Sequence, residues 1–292
     1  MIIETRNLTK AYGSHLALDH VDLRVPRGGV YGLVGPNGSG KTTLLALLAG
    51  LRRPTSGAIE LAVGRARVAV LPDTPQFEPW LTAREVVDLA RHLTAPGLPR
   101  ARVDEVLAQA GLADAADRRV GGFSRGMLQR LGLAATVIGE PELLLLDEPC
   151  SALDPAGRRE VLDLVKRLGG RATVLFSSHI LADVQQVSDT VGVLRQGRLL
   201  YQGPLSELLV GHAVPAYHVR LRGDAAPVAA ALRAEPWVTA VEEDGTDLRV
   251  RVRSLGEAER ELAGALARTG AAVVSLGPEA ADLEDVFLEL TK

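Results

Sequence analysis

A single cysteine, Cys150, occurs in 292 residues, so no internal disulfide can form. A reducing compartment suits such a chain. No uninterrupted apolar run approaches the ~20 residues that a membrane helix needs. The richest stretch, Leu44 to Leu51, stops at Arg52 and Arg53. Net charge is −3 and no basic patch is concentrated anywhere, so neither nucleic acid nor anionic lipid is expected as a partner. No internal repeat is visible. The opening MIIETRNL carries Glu4 and Arg6 and reads as a strand, not a leader peptide. A cytoplasmic protein is expected, with any membrane role reached through a partner. Lysine is scarce: Lys10, Lys41, Lys166 and Lys292 are the only four among 33 basic residues. The remaining composition, 47% hydrophobic and 24% charged, is that of an ordinary globular protein. The length allows about two domains.

Against that background one stretch stands out. Gly35 to Thr43 reads GPNGSGKTT and fits the phosphate-loop pattern G-x-x-x-x-G-K-[ST] without a gap. An apolar run, Val30 to Val34, precedes it as a buried strand. Gly40 to Leu51 follows as a helix, with Leu44, Leu45, Leu47, Leu48 and Leu51 on a broad apolar face. Gly35, Gly38 and Gly40, with Pro36, Asn37 and Ser39 between them, let the backbone wrap an anion with its N–H groups inward. The helix N-terminus adds partial positive charge. Lys41 is placed to reach outer phosphates, and Thr42 to hold Mg²⁺ through its hydroxyl.

Before the loop, Ile2 to Val25 alternates apolar and polar as short strands, with Tyr12 and Gly13 in a turn. Tyr12 could stack on a nucleobase or simply sit on the surface of that turn. After it, Ala58 to Leu61 and Arg67 to Leu71 read as strands, and Pro72 to Pro79 as a proline-broken loop. Thr82 with Glu85 three residues on is a capping box, opening a helix to Leu93. Arg102 to Ala110 and Ser124 to Ile138 read as helices. A helical insert over about 82–139 thus interrupts an α/β sheet.

ELLLLDE, Glu142 to Glu148, is an apolar run closed by two carboxylates. Four consecutive leucines suit a central parallel strand. Asp147 and Glu148 then belong at its C-terminal end, where open α/β sheets bind ligands. Asp154 before Pro155 reads as a helix N-cap. Thr173 to Phe176 is a strand followed by Ser177, Ser178 and His179, where the histidine is by itself either structural or functional. Val191 to Leu194 and Arg198 to Gln202 form a hairpin, and Leu205 to Val210 a short helix. Gly211 to Pro215 reads as a linker. Beyond it, strands at Tyr217–Leu221, Val238–Glu242, Leu248–Val252 and Ala272–Leu276 alternate with helices at Val228–Ala234, Glu257–Arg268 and Leu283–Leu290. The expected domains are 1–211, and 212–292 as a small α+β accessory domain with no catalytic arrangement of its own.

The phosphate loop, helical insert, LLLLDE strand and strand-end histidine together resemble the ATP-binding subunit of ABC transporters. The deciding stretch is Phe123 to Arg130, FSRGMLQR, which looks like that family's signature motif, placed as expected at a helix start before the LLLLDE strand. The resemblance spans about Ile2 to Leu209. The tail LEDVFLELT more weakly resembles the extra domain on exporter ATPases of the ABC-2 type. The fold implied is a P-loop NTPase with a mixed, largely parallel sheet.

The resemblance implies ATP and Mg²⁺ as ligands and a role for each matched residue. Tyr12 would stack on adenine, and Gly35 to Thr43 would hold the phosphates. Asp147 would support Mg²⁺, and Glu148 would be the general base. His179 would sense the γ-phosphate. Ser124 and Gly126 would reach the nucleotide across a dimer interface, and Asp154 lies in the loop that touches the opposite subunit. Two departures are present. Arg125 and Met127 stand where many members carry glycine and glutamine. After Leu71 and Pro72, Asp73 occupies the position of the usual metal-contacting glutamine, and Gln76 lies three residues later; either could take that role. The partners implied are a second ATPase subunit, with a homodimer favoured, and an integral membrane permease. The subunit would lie on the inner face of the cell membrane and drive export, drug-like substrates being favoured. A soluble ATPase of the same type acting on ribosomes or nucleic acid is the competing reading. The single cassette and short insert argue against it.

Overall fold

A computed structural model describes residues 1–151, 153–211, 215–278 and 283–290. The chain divides into two compact units, Met1–Ser206 and Glu207–Leu290. The linker expected at Gly211–Pro215 lies largely outside the described residues.

The first unit opens with β1 (Ile3–Tyr12), β2 (His15–Val21), β3 (Arg24–Val25) and β4 (Val30–Val34), followed by α1 (Lys41–Leu48), β5 (Ser56–Leu61) and β6 (Val68–Leu71). The helices of the insert are α2 (Ala83–Thr94), α3 (Ala101–Gln109) and α4 (Arg125–Val137). The chain then runs through β7 (Leu143–Leu146), α5 (Pro155–Gly169), β8 (Thr173–Ser178), α6 (Leu181–Val187), β9 (Thr190–Arg195), β10 (Arg198–Pro204) and α7 (Leu205–Gly211). β1 pairs antiparallel with β2, β3 and β5. The main sheet has the order β10-β9-β4-β8-β7-β6, parallel throughout except for β10.

Every residue of β4, β7 and β8 is buried, as strands covered on both faces require. Leu33, Leu44, Leu48, Leu143, Leu145 and Leu175 meet in one core between this sheet, α1 and the antiparallel strands. β8 continues through Ser177 and Ser178, two residues further than the apolar pattern marks it. Leu71, Leu146 and Phe176 stand level in the pairing register, and Val34 lies opposite Ser178. The C-terminal ends of four parallel strands are therefore collected at one edge.

Local signals hold where they were strongest. Thr82 accepts from the Glu85 N–H at 3.2 Å, and the Glu85 carboxylate accepts from the Thr82 N–H at 2.8 Å. That reciprocal cap starts α2. Asp154 accepts from the Gly157 N–H at 3.0 Å and caps α5, with Pro155 in its first turn.

In the second unit β11 (Ala216–Arg222), α8 (Ala226–Arg233), β12 (Val238–Asp244), β13 (Asp247–Val252), α9 (Leu255–Thr269) and β14 (Ala272–Pro278) precede α10 (Leu283–Leu290). Its sheet is antiparallel with order β12-β13-β11-β14. This β-α-β-β-α-β chain is the ferredoxin-like arrangement. Val219, Leu221, Leu232, Leu248, Val250 and Leu262 form a separate core.

Candidate functional site

Four loops leave the aligned strand ends. Gly35–Thr43 follows β4, Asp73 follows β6, Asp147 and Glu148 follow β7, and His179 follows β8. Tyr12, Asn37, Gly38, Ser39, Gly40, Lys41, Thr42, Thr43, Asp73 and Glu148 line one cavity of about 300 Å³, joined by His15 and Ala17. The glycine at position 40 is obligatory. Its φ is 108°, and a Cβ there would lie 2.6 Å from the Ala17 carbonyl oxygen. α1 starts without a side-chain cap, so its first N–H groups face the loop unsatisfied by protein. The Ser39 hydroxyl is buried with no partner. A cradle of free donors with an orphaned hydroxyl is what a polyphosphate would complete.

Lys41 is 6% exposed. Its Nζ donates to the carbonyl oxygens of Gly35 at 2.7 Å and Pro36 at 3.3 Å, and it stands 3.3 Å from Glu148 Oε1. Glu148 Oε2 is 2.8 Å from His179 Nδ1 and accepts the His179 N–H at 3.3 Å. The Glu148 backbone is left-handed, φ 46°. Such a conformation costs about 1–3 kcal/mol in a side-chain-bearing residue and clusters at functional sites.

Here the structure adds a residue that the sequence reading passed over. The strands carrying the phosphate loop and the two carboxylates are not neighbours; β8 lies between them. Ser177 on β8, fully buried, spans the gap. Its hydroxyl donates to Asp147 Oδ1 at 2.6 Å and accepts the Glu148 N–H at 2.9 Å. The available signal was a serine pair closing an otherwise apolar strand, level with the carboxylates.

Asp147 is 5% exposed. Burial pushes its carboxyl pKa up; hydrogen bonds from Ser177 and Thr42 oppose the rise, and the charges of Glu148 and Asp73 add to it. The native state therefore holds this proton more tightly than the unfolded chain does. The stability penalty of keeping Asp147 ionised is largest at neutral pH and fades as pH falls through the raised pKa. Asp147→Asn, which keeps an oxygen for Ser177, should raise the nucleotide-free melting temperature at neutral pH. For ~1 kcal/mol of relief the gain is about 2–4 °C. The gain should shrink in acid. Calorimetry across pH checks this, and a lowered melting temperature at neutral pH contradicts it.

The metal alternatives separate in space. Asp73 borders the cavity. Gln76 is exposed and lines a different groove with Phe77, Glu78, Leu81, Val86 and Leu89. Tyr12, 40% exposed, carries Lys10 Nζ 5.0 Å and Arg52 Cζ 5.6 Å from its ring centre. Ser124 is exposed at the start of α4, where it accepts from the Met127 N–H at 3.3 Å. Neither Ser124, Gly126 nor Asp154 borders the cavity among the described residues.

Residues 18–151 match the family described as "ABC transporter". The uncharacterized ABC transporter ATP-binding protein YxlF of Bacillus subtilis (strain 168) is 36% identical, covering 99% of both chains. The chain belongs to the ABC transporter ATP-binding proteins. The daunorubicin resistance ATP-binding protein DrrA3 of Streptomyces coeruleorubidus is 38% identical over 97% of this chain and 93% of its own. Among solved structures, a dimeric ATP-binding cassette in a post-hydrolysis state bound to ADP and Pi is 26% identical. It has a TM-score of 0.64 and covers 70% of this chain and 98% of that one. The fold of the first unit is that of an ABC ATPase, and this ABC protein is an ATP-binding, ATP-hydrolysing transport subunit. None of its helices, among the described residues, is long and apolar enough to cross a membrane.

Proposed function

We propose that two copies of this ABC subunit pair head to tail, enclose two ATP molecules and drive export through a separate membrane permease. The observation that carries this reading is the split of the motifs. Asp73, Lys41 and Glu148 face one cavity, while the exposed Ser124 and the half-buried Gly126 lie outside its lining. The signature residues reach a nucleotide in the partner copy, so each site needs both chains.

In each site Tyr12 stacks on adenine, and the Gly35–Thr43 backbone holds the phosphates. Thr42 and Asp147, with Asp73 beside them, are the oxygen donors that fit Mg²⁺. Bound there, Mg²⁺ neutralises charge on the phosphates. Lys41 moves from Glu148 to the phosphates. Glu148, freed of that ion pair, takes the proton of the attacking water, and His179 fixes its carboxylate and contacts the γ-phosphate. Asp154 keeps its cap and borders the partner.

The permease docks on the groove lined by Gln76, Phe77, Leu81, Val86 and Leu89, a cavity of about 550 Å³ beside the exposed indole of Trp80. With its permease, this subunit works at the cytoplasmic face of the membrane. Similarity to a daunorubicin resistance protein favours a drug-like substrate. Residues 212–292 form an accessory domain. The test is to tag the protein, solubilise native membranes mildly with ATP present and identify what co-purifies. A multi-span membrane protein in stoichiometric amount is expected, and Leu89→Asp should lose it while still binding ATP. Ribosomes or nucleic acid in its place would overturn the transport reading.

A further inference from the structure

Asp73 and Ser151 lie 78 residues apart and meet. The Ser151 hydroxyl donates to Asp73 Oδ1 at 2.7 Å, and the Thr74 hydroxyl lies 3.4 Å from Oδ2. β6 and β7 are adjacent, so this bond ties the loops leaving two neighbouring strands. One end of the tie is a half-buried carboxylate bordering the nucleotide cavity; the other is an exposed hydroxyl in the segment leading to Asp154. At the phosphate end of the cavity the carboxylates of Asp73, Asp147 and Glu148 gather near the Lys41 ammonium, while Lys10 and Arg52 lie over the Tyr12 ring. Repulsion there favours Asp73 turning outward to a neutral hydroxyl. A cation loaded with nucleotide reverses the preference, because a charged acceptor gains more from a cation than from a hydroxyl. A glutamine at this position would carry no charge and would not respond in this way.

We infer that the Asp73–Ser151 hydrogen bond is a latch that keeps Ser151 on its own subunit in the absence of nucleotide, and that Asp73, on turning toward a cavity loaded with nucleotide and Mg²⁺, would release Ser151 to the partner. Asp73 and Ser151 are in this sense positioning residues. The inference rests on the head-to-tail dimer proposed above.

The test uses the full chain. Hydrogen exchange of the 149–153 amides is measured without nucleotide, in wild type and Ser151→Ala. Dimerisation is then followed by sedimentation against ATP at fixed Mg²⁺ in Glu148→Gln, with and without Ser151→Ala. Loss of the tie should quicken exchange and lower the ATP needed for half-dimerisation about tenfold, the low end for a hydrogen bond to a charged acceptor. Asp73→Asn, which keeps the acceptor without the charge, should flatten the Mg²⁺ dependence of dimerisation. Unchanged exchange overturns the tie. Faster exchange with an unchanged or raised ATP requirement overturns the latch. No ATP-dependent dimer in Glu148→Gln, with exchange still faster, overturns the head-to-tail reading and the release step while the tie stands.

Discussion

Glu148→Gln should lose ATP turnover by about a hundred- to ten-thousand-fold, the usual contribution of a positioned general base, while its nucleotide stays bound. The amide keeps the shape of the side chain and an oxygen for His179, but it cannot take a proton from water. It also removes the anion 3.3 Å from Lys41. Lys41 is then free to serve phosphate alone, so affinity for ATP should hold or rise. With hydrolysis blocked, the ATP-bound pair should persist and be isolable by gel filtration. Turnover near the wild-type rate would show that another group activates the water.

Lys41→Ala should weaken ATP binding about ten- to a hundredfold, the loss of one charge-assisted contact to phosphate. The same change strips Glu148 of its buried counter-ion and leaves the Gly35 and Pro36 carbonyls without their donor. The variant should therefore also melt at a lower temperature. Titration with a fluorescent ATP analogue, run beside a melting curve, separates the two effects. Unchanged affinity in a folded variant would contradict the assignment of the loop.

The parts of this protein written locally were legible in its sequence. The cap at Thr82, the proline-led helix after Asp154, the strand–loop–helix around Lys41 and the LLLLDE strand each depend on residues a few positions apart, and each stands where the pattern puts it. The parts that depend on which strand lies beside which were not legible. No spacing rule places β8 between β4 and β7, so nothing singled out Ser177 as the bridge joining Asp147 to the Glu148 backbone. The choice between Asp73 and Gln76 had the same character. It turns on which of two loop residues points at the cavity, and the loop's path is set by α4: a Cβ added at Gly132 would stand 2.7 Å from Leu71 and 3.0 Å from Pro75. In the second unit strand–helix alternation was visible, but the antiparallel order that makes it ferredoxin-like arises from pairings far apart in sequence.

The left-handed backbone at Glu148 carries an evolutionary consequence. Together with the buried charge of Asp147 it puts local instability on two side chains to which the proposed mechanism gives chemistry, although Asn7, His20, Glu140 and Gln196 share the positive φ elsewhere in the unit. A gene copy released from hydrolysis, for instance one half of an unequal pair, would gain stability by changing these positions first. Glycine, asparagine or aspartate at position 148, all tolerant of positive φ, are the changes selection would resist least. Decay of the catalytic site should therefore begin at the base and leave the phosphate loop, which is not strained in this way, in place.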